Sequence, residues 1–243
     1  MATYVVGDIH GCFREWIGLK SKIERTDENA EFILVGDILD KGPHSLEMLK
    51  WAMEKIVPGS KYQMVLGNHE TEKINWLKYV LKHQDKEAWN NRDIARNMLS
   101  ADGYEFYKVC CAKNFTGDDW NSILMWLESL PFSIHKEIEN EYRKVPYIIL
   151  HNPQDSNGIT ETLIIHGHIP TTLDKCKNEG AIPGKIWIQG NRINIDCGLV
   201  YGVSKKQGLY GDLAAICLED LQEIYYYNHY LKHPKILPKM KKM

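Results

Sequence analysis

The stretch Phe32-Ile33-Leu34-Val35-Gly36-Asp37-Ile38-Leu39-Asp40-Lys41-Gly42 is the one whose reading decides the fold. An apolar run without polar alternation breaks at Gly-Asp and opens into a loop carrying two carboxylates and a lysine. A strand apolar at every position is buried on both faces, as in a parallel sheet held between layers. The same grammar recurs on either side. Thr3–Gly7 leads into Gly7-Asp8-Ile9-His10-Gly11, and Tyr62–Leu66 leads into Gly67-Asn68-His69-Glu70. Between these runs lie helical patterns. Phe13–Arg25 spaces Trp16, Leu19, Lys20 and Ile23 on a helix, and Pro43–Val57 sets Leu46, Leu49, Met53 and Ile56 on one face. Pro43 suits the first turn of that second helix. Strand and helix in alternation predict an α/β fold.

Further along, residues 71–130 lose the strand signal. They predict two or three helices, one carrying Trp76, Leu77, Val80 and Leu81 and another carrying Ile123, Leu124, Trp126, Leu127 and Leu130. A polar segment at Asn114–Asp119 separates the later helices, and the whole stretch reads as a helical insertion over one end of the sheet. Strand patterns return at Tyr147–Leu150 and Leu163–Ile165. They continue at Lys185–Gln189, Arg192–Ile195, Leu213–Leu218 and Glu223–Tyr227, spaced by glycines as in an antiparallel sheet. One domain over 1–230 with two sheets is the simplest account. A basic tail follows at 231–243, with Lys232, Lys235, Lys239, Lys241 and Lys242 around Pro234 and Pro238; it reads as solvated chain.

The chain has 243 residues, 44% of them apolar, and a net charge of −2. That balance gives no general attraction to nucleic acid or anionic membrane. No run approaches the ~18 apolar residues of a membrane span, and no leader pattern follows Met1. Six scattered cysteines (Cys12, Cys110, Cys111, Cys176, Cys197 and Cys217) show no metal-knuckle spacing and suit free thiols in a cytoplasmic protein.

In a parallel sheet the carboxyl ends of the strands share one edge, where loops build ligand sites. Asp8 and His10, two apart, project to the same side of extended backbone. Any one fragment has a plain reading: Asp-x-His as a surface turn, or Asn68 as a helix N-cap. Three on successive strand ends point to a metal site. His166, Glu70, His135 and Asp196 keep the plain readings: a structural imidazole, a carboxylate favouring a helix start, a histidine without a role, and a turn carboxylate.

GDIHG (7–11), GDILDKG (36–42) and GNHE (67–70) closely resemble the signatures of the phosphoprotein phosphatase group within the calcineurin-like metallophosphoesterases. HGHIP (166–170) resembles that family's Gly-His-Thr motif and NIDCGLVYG (194–202) its Asp-Thr-Gly segment, so the resemblance covers most of 3–70 and 162–227. It implies a four-layer fold: a two-sheet β-sandwich flanked by helices. It also implies two divalent ions, with Asp8 and His10 on the first, Asp37 bridging, and Asn68 and His168 on the second. Carboxylates mixed with imidazoles suit Mn²⁺, Fe²⁺ or Zn²⁺. Two ions ~3.5–4 Å apart would clamp the phosphoryl oxygens and activate a bridging water as hydroxide for in-line attack. His69, oriented by Asp40, would protonate the leaving group.

The pattern departs from the family in two places. A further histidine is expected on the second ion, and two alignments stand open. In one it is His151, after Tyr147–Leu150. In the other His151-Asn152-Pro153 matches a Trp-Asn-Arg-like position, and the histidine strand has been lost between Arg143 and Val145. The family also presents arginines to phosphate. Here Lys41 takes one such place, with charge but without the bidentate fork, beside Asn68. The activity expected is hydrolysis of phosphomonoesters by a serine/threonine protein phosphatase. The alternatives are a dinucleoside-polyphosphate hydrolase or a binding module with weakened catalysis. The partner is then a phosphorylated protein or a small phosphate ester or nucleotide.

Overall fold

In this computed structural model the chain is described over residues 1–82, 88–139, 144–156, 158–204 and 211–226. The lysine-rich tail, Tyr227 and Arg143 lie outside the described residues. β1 (Thr3–Val6), β2 (Glu31–Leu34) and β3 (Tyr62–Met64) pair in parallel, joined by α1 (Phe13–Glu24) and α2 (Ser45–Lys55).

The helical region contains α3 (Asn68–Lys82), α4 (Arg92–Met98), α5 (Ala101–Ala112) and α6 (Gly117–Glu128). It has more helices than the sequence predicts, and its first one starts inside the Gly-Asn-His-Glu motif. Trp76 of α3 meets Trp120 of α6 and Tyr107 of α5 edge-on, at ring-centroid distances of 5.0 and 5.4 Å. The polar segment at 114–119 is the start of α6, where Thr116 and Asp119 form a reciprocal capping box.

β4 (Ser133–Glu139), β5 (Lys144–Leu150), β6 (Leu163–His166), β7 (Trp187–Gln189) and β8 (Arg192–Asn194) form the second sheet, in the order β4-β5-β6-β8-β7. The helices α7 (Asp174–Asn178) and α8 (Leu199–Ser204) are short. β9 (Leu213–Cys217) and β10 (Glu223–Tyr226) return to the first sheet, completing the order β10-β9-β1-β2-β3. The expected antiparallel second sheet is therefore mixed: β5, β6 and β8 run parallel, and only the outer strands β4 and β7 are antiparallel to them.

Side chains alternate across the first sheet. Tyr4, Val6, Phe32, Leu34, Leu213 and Ala215 join the helix-side core with Trp16, Leu19 and Leu49. Val5, Ile33, Val35, Ala214 and Ile216 instead face Tyr147, Ile149, Ile165 and Ile193 of the second sheet. This double burial is why β1, β2 and β9 carry no polar alternation. Among the described residues no helix is long and apolar enough to cross a membrane, and the six cysteines are unpaired.

Candidate metal centre

The carboxyl ends of parallel strands from both sheets meet at one edge. β1 delivers Asp8 and His10, β2 delivers Asp37, Asp40 and Lys41, and β3 delivers Asn68 and His69. From the second sheet, β5 ends at His151 and β6 leads to His168. β5 runs unbroken to the residue before His151 and brings it among the donors.

The loops reach this edge in backbone conformations that L-residues seldom adopt. His10, Asp37, Asp40, Lys41 and His168 all have φ between +45° and +75°. Such strain persists only where surrounding contacts over-determine it. One source of that determination is a residue whose role the sequence misses. Glu70, fully buried, accepts from the backbone N–H groups of Asp37 (2.7 Å), Ile38 (3.1 Å), Leu39 (3.3 Å) and Gly67 (3.1 Å). It fastens two ligand loops together, a role added to its place in the first turn of α3. Close approach also dictates Gly67: a Cβ there would fall 2.3 Å from the Asp37 nitrogen.

Two groups of donor atoms, each mutually within 4.8 Å, share Asp37: His10-Asp37-His69 and Asp37-His151-His168. Asp37 Oδ2 lies 3.6, 3.9 and 3.4 Å from Nε2 of His10, His69 and His151. Asn68 Oδ1 is 2.9 Å from His151 Nε2 and 2.8 Å from His168 Nδ1. Backbone carbonyls fix the ring orientations: His10 Nδ1 donates to Leu39 O and His151 Nδ1 donates to Val35 O. Each ring therefore turns Nε2 toward the cluster, the outer arrangement typical of metal-binding histidines. Asp8 stands outside both groups, its Oδ2 accepting from His168 N at 3.2 Å.

The donor set fits divalent cations, mixing carboxylate, amide and imidazole donors. Asp8 Oδ1 is buried with no hydrogen-bond partner among the described residues, an unmet need that a cation answers. The Lys41 ammonium already lies 2.8 Å from His10 Nε2. The local field favours positive charge. Burial lowers the His151 pKa, but its bond to Asp37 and the charges of Asp8, Asp37 and Glu70 outweigh this and raise it to about 10. Asp37 is pushed up by burial and pulled down further by His151, His10 and His69, leaving it firmly ionised. His10, by burial foremost, falls to about 3 and is neutral, the form that ligates.

Beside the donors, His69 Nδ1 donates to Asp40 Oδ2 at 2.7 Å, and a second residue missed in the sequence completes the group. Lys73, on α3 and buried, donates to the same oxygen at 2.5 Å and to the His69 carbonyl at 3.3 Å. Burial raises the Asp40 pKa, but these two partners outweigh it and lower it. The pair's stabilisation is thus present at neutral pH and fades as pH falls through the lowered Asp40 pKa. Lys73→Met is expected to lose about 3 kcal/mol at pH 7 in urea unfolding, the scale for breaking one side of a buried ion pair. A loss below about 1 kcal/mol would show that His69 alone neutralises Asp40.

Among the other candidates, His166 is buried, its Nδ1 bonded to Gly167 O and its pKa lowered to about 4, burial being the main cause. Asp196 accepts from Gly198 N as a turn carboxylate, fully buried, with burial raising its pKa to about 6. His135 lies on β4 and belongs to neither donor group.

The family profile described as calcineurin-like phosphoesterase matches residues 1–204. A symmetrical bis(5'-nucleosyl)-tetraphosphatase from Buchnera aphidicola is 37% identical over 192 residues, covering 77% of this chain and 60% of that protein. One of the same name from Salmonella arizonae is 34% identical over 87 residues, covering 36% of this chain and 30% of that protein. The matched region thus spans less than two thirds of either relative. In fold, a serine/threonine phosphatase from Saccharomyces cerevisiae aligns with a TM-score of 0.51 at 16% identity, over 97% of this chain and 82% of that one.

Proposed function

This chain belongs to the calcineurin-like phosphoesterases, and from that premise we propose that it hydrolyses dinucleoside polyphosphates, with Mn²⁺ as its metal. The observation that carries the substrate class is the 37% identity over 192 residues to an enzyme named for bis(5'-nucleosyl) tetraphosphates. It displaces the serine/threonine phosphatase first expected, because the likeness to such a phosphatase at 16% identity speaks for the fold alone.

We assign Asp8, His10 and Asp37 to one ion, and Asp37, Asn68, His151 and His168 to the other. Bound there, divalent ions polarise the phosphoryl group and lower the pKa of water. The protein's own part is positional. Asp37, common to both donor groups, sets their spacing. His69 carries the proton for the leaving oxygen on Nε2, while Asp40 holds its Nδ1–H and so fixes tautomer and ring plane. Lys41, exposed at the edge of the cluster, meets phosphate charge as a point cation.

The test is turnover of diadenosine tetraphosphate with added Mn²⁺, products resolved by chromatography. ADP is expected as the sole nucleotide product, with turnover abolished by chelator and reduced about 10²–10⁴-fold in His69→Asn, the range for a general acid. Turnover of phosphopeptides with none of the dinucleotide would overturn the assignment. Inertness toward both would return the chain to a binding role.

A further inference from the structure

We propose that the outer face of the second sheet carries a site for a purine base, separate from the metal centre and independent of the dinucleotide reading. Strand register builds it. His166 on β6 pairs with Asn194 on β8, and Asn194 pairs with Trp187 on β7, so the three residues form one row across the sheet. Ile165 and Ile193, one position back on β6 and β8, face the first sheet. The row therefore stands on the opposite, outer face. Two strand spacings of ~4.8 Å part the strands that bear His166 and Trp187. These residues line a cavity of about 130 Å³. That is well below the ~300 Å³ at which drug-sized pockets begin, so it takes one ring system and not a dinucleotide. None of its lining residues belongs to either donor group of the metal centre.

The polar groups here are few and mostly committed. Asn194 Nδ2 donates to Ile169 O at 2.8 Å, and its Oδ1 accepts from Asp196 N at 3.0 Å. Arg192 donates from Nη1 to Pro153 O at 2.6 Å and so holds that apolar wall in place. His166 is the exception. It is 6% exposed, and its Nδ1 donates to Gly167 O at 3.0 Å. Nε2 is then the ring's acceptor, and it has no partner among the described residues. A buried acceptor left without a donor is costly, and an N–H on a ligand meets that need. Trp187, half-buried, offers the aromatic surface on the other side.

Charge selects a neutral ring over an anion. Arg192 is turned toward backbone carbonyls, with Nη2 also 3.5 Å from Ser156 O. Lys175 shares the exposed rim with Glu179. The Glu179 carboxylate and the His166 lone pair both repel an anion, yet both accept from an exocyclic amine. A nucleobase supplies each part at once: a planar face for the indole and a donor edge for the imidazole. Stacking strength favours the larger face of a purine. The ribose of a nucleoside would then lie toward the rim, where Lys175, Glu179 and Gln189 are exposed.

The test is calorimetric titration of the full chain, kept free of metal with EDTA, with adenosine, which carries no phosphate. Saturable one-to-one binding is expected. It should weaken about tenfold or more in Trp187→Ala, recover most of that in Trp187→Phe, and weaken severalfold in His166→Phe, on the scale of losing one stacked base or one hydrogen bond. Photolabelling of the wild type with azidoadenosine should mark the peptide around Trp187, a readout that does not depend on how well the variants fold. No saturable binding by the wild type overturns the site. So does label confined to the metal-centre loops, or an affinity unchanged in folded Trp187→Ala and His166→Phe. Displacement of adenosine by an equal concentration of inorganic phosphate overturns the base in favour of an anion. Hydrolysis plays no part in these measurements, so failure of this site and failure of the dinucleotide reading are told apart.

Discussion

Asp37→Asn is expected to lower metal-dependent turnover of p-nitrophenyl phosphate by about 10³-fold or more, a barrier increase of about 4 kcal/mol. The substitution keeps the shape of the side chain. An amide oxygen can still accept from His69 N, as Asp37 Oδ1 does at 3.0 Å. What disappears is the charge at Oδ2, which faces three imidazoles within 4 Å and is common to both donor groups. A change at His168 or His10 strikes one group, but this one strikes both. Calorimetric titration with Mn²⁺ is therefore expected to lose both binding events together. Retention of more than a tenth of the activity, or the loss of one binding event alone, would show that Asp37 is not shared between two ions.

Much of this was open to sequence reading because it is written locally. Each parallel strand of the first sheet announces itself as an apolar run, and each motif sits within a few residues of its strand end. What escaped was non-local or hidden by charge. β4 alternates Ile134, Lys136 and Ile138 against polar neighbours, and its charged edge position masks the period of two. The mixed character of the second sheet depends on which strands pair across long connections, and composition is silent on that. Lys73 meets Asp40 across 33 residues, and Glu70 meets the Asp37–Leu39 backbone across 31 to 33. In the sequence both are ordinary charges near the start of a helix. Charged side chains buried to 2% and 0% exposure are what their positions conceal.

Glu70→Ala is the second large effect, and it separates the two readings of that residue. As a carboxylate merely favouring the start of α3, Glu70 would contribute about 0.3–1 kcal/mol. As the acceptor of four buried N–H groups it contributes far more, since a buried donor left without a partner costs about 1–3 kcal/mol. Some of those donors will find water, so the expected loss is about 4 kcal/mol, or a melting temperature lower by about 8–16 °C for a chain of this size. The side chain must be ionised to play this part. Burial and the nearby Asp37 charge raise its pKa, but with both oxygens taken up by N–H donors no acceptor remains for a carboxyl proton. Glu70→Gln is accordingly expected to recover only part of the loss, because its carbonyl oxygen satisfies one side of the cradle while its NH₂ turns toward donors on the other. The effect also reaches the metal site. Asp37 is held at a φ of +49°, and the Glu70 carboxylate is what its backbone nitrogen bonds to, alongside those of Gly67, Ile38 and Leu39. Both variants should therefore need more Mn²⁺ for half-maximal activity, Ala more than Gln, while His69 and Asp40 remain intact. A melting temperature within about 3 °C of wild type for Glu70→Ala would return this residue to the helix-start role, and the strained Asp37 loop would then have to be held by the ligand contacts of Asp37 itself.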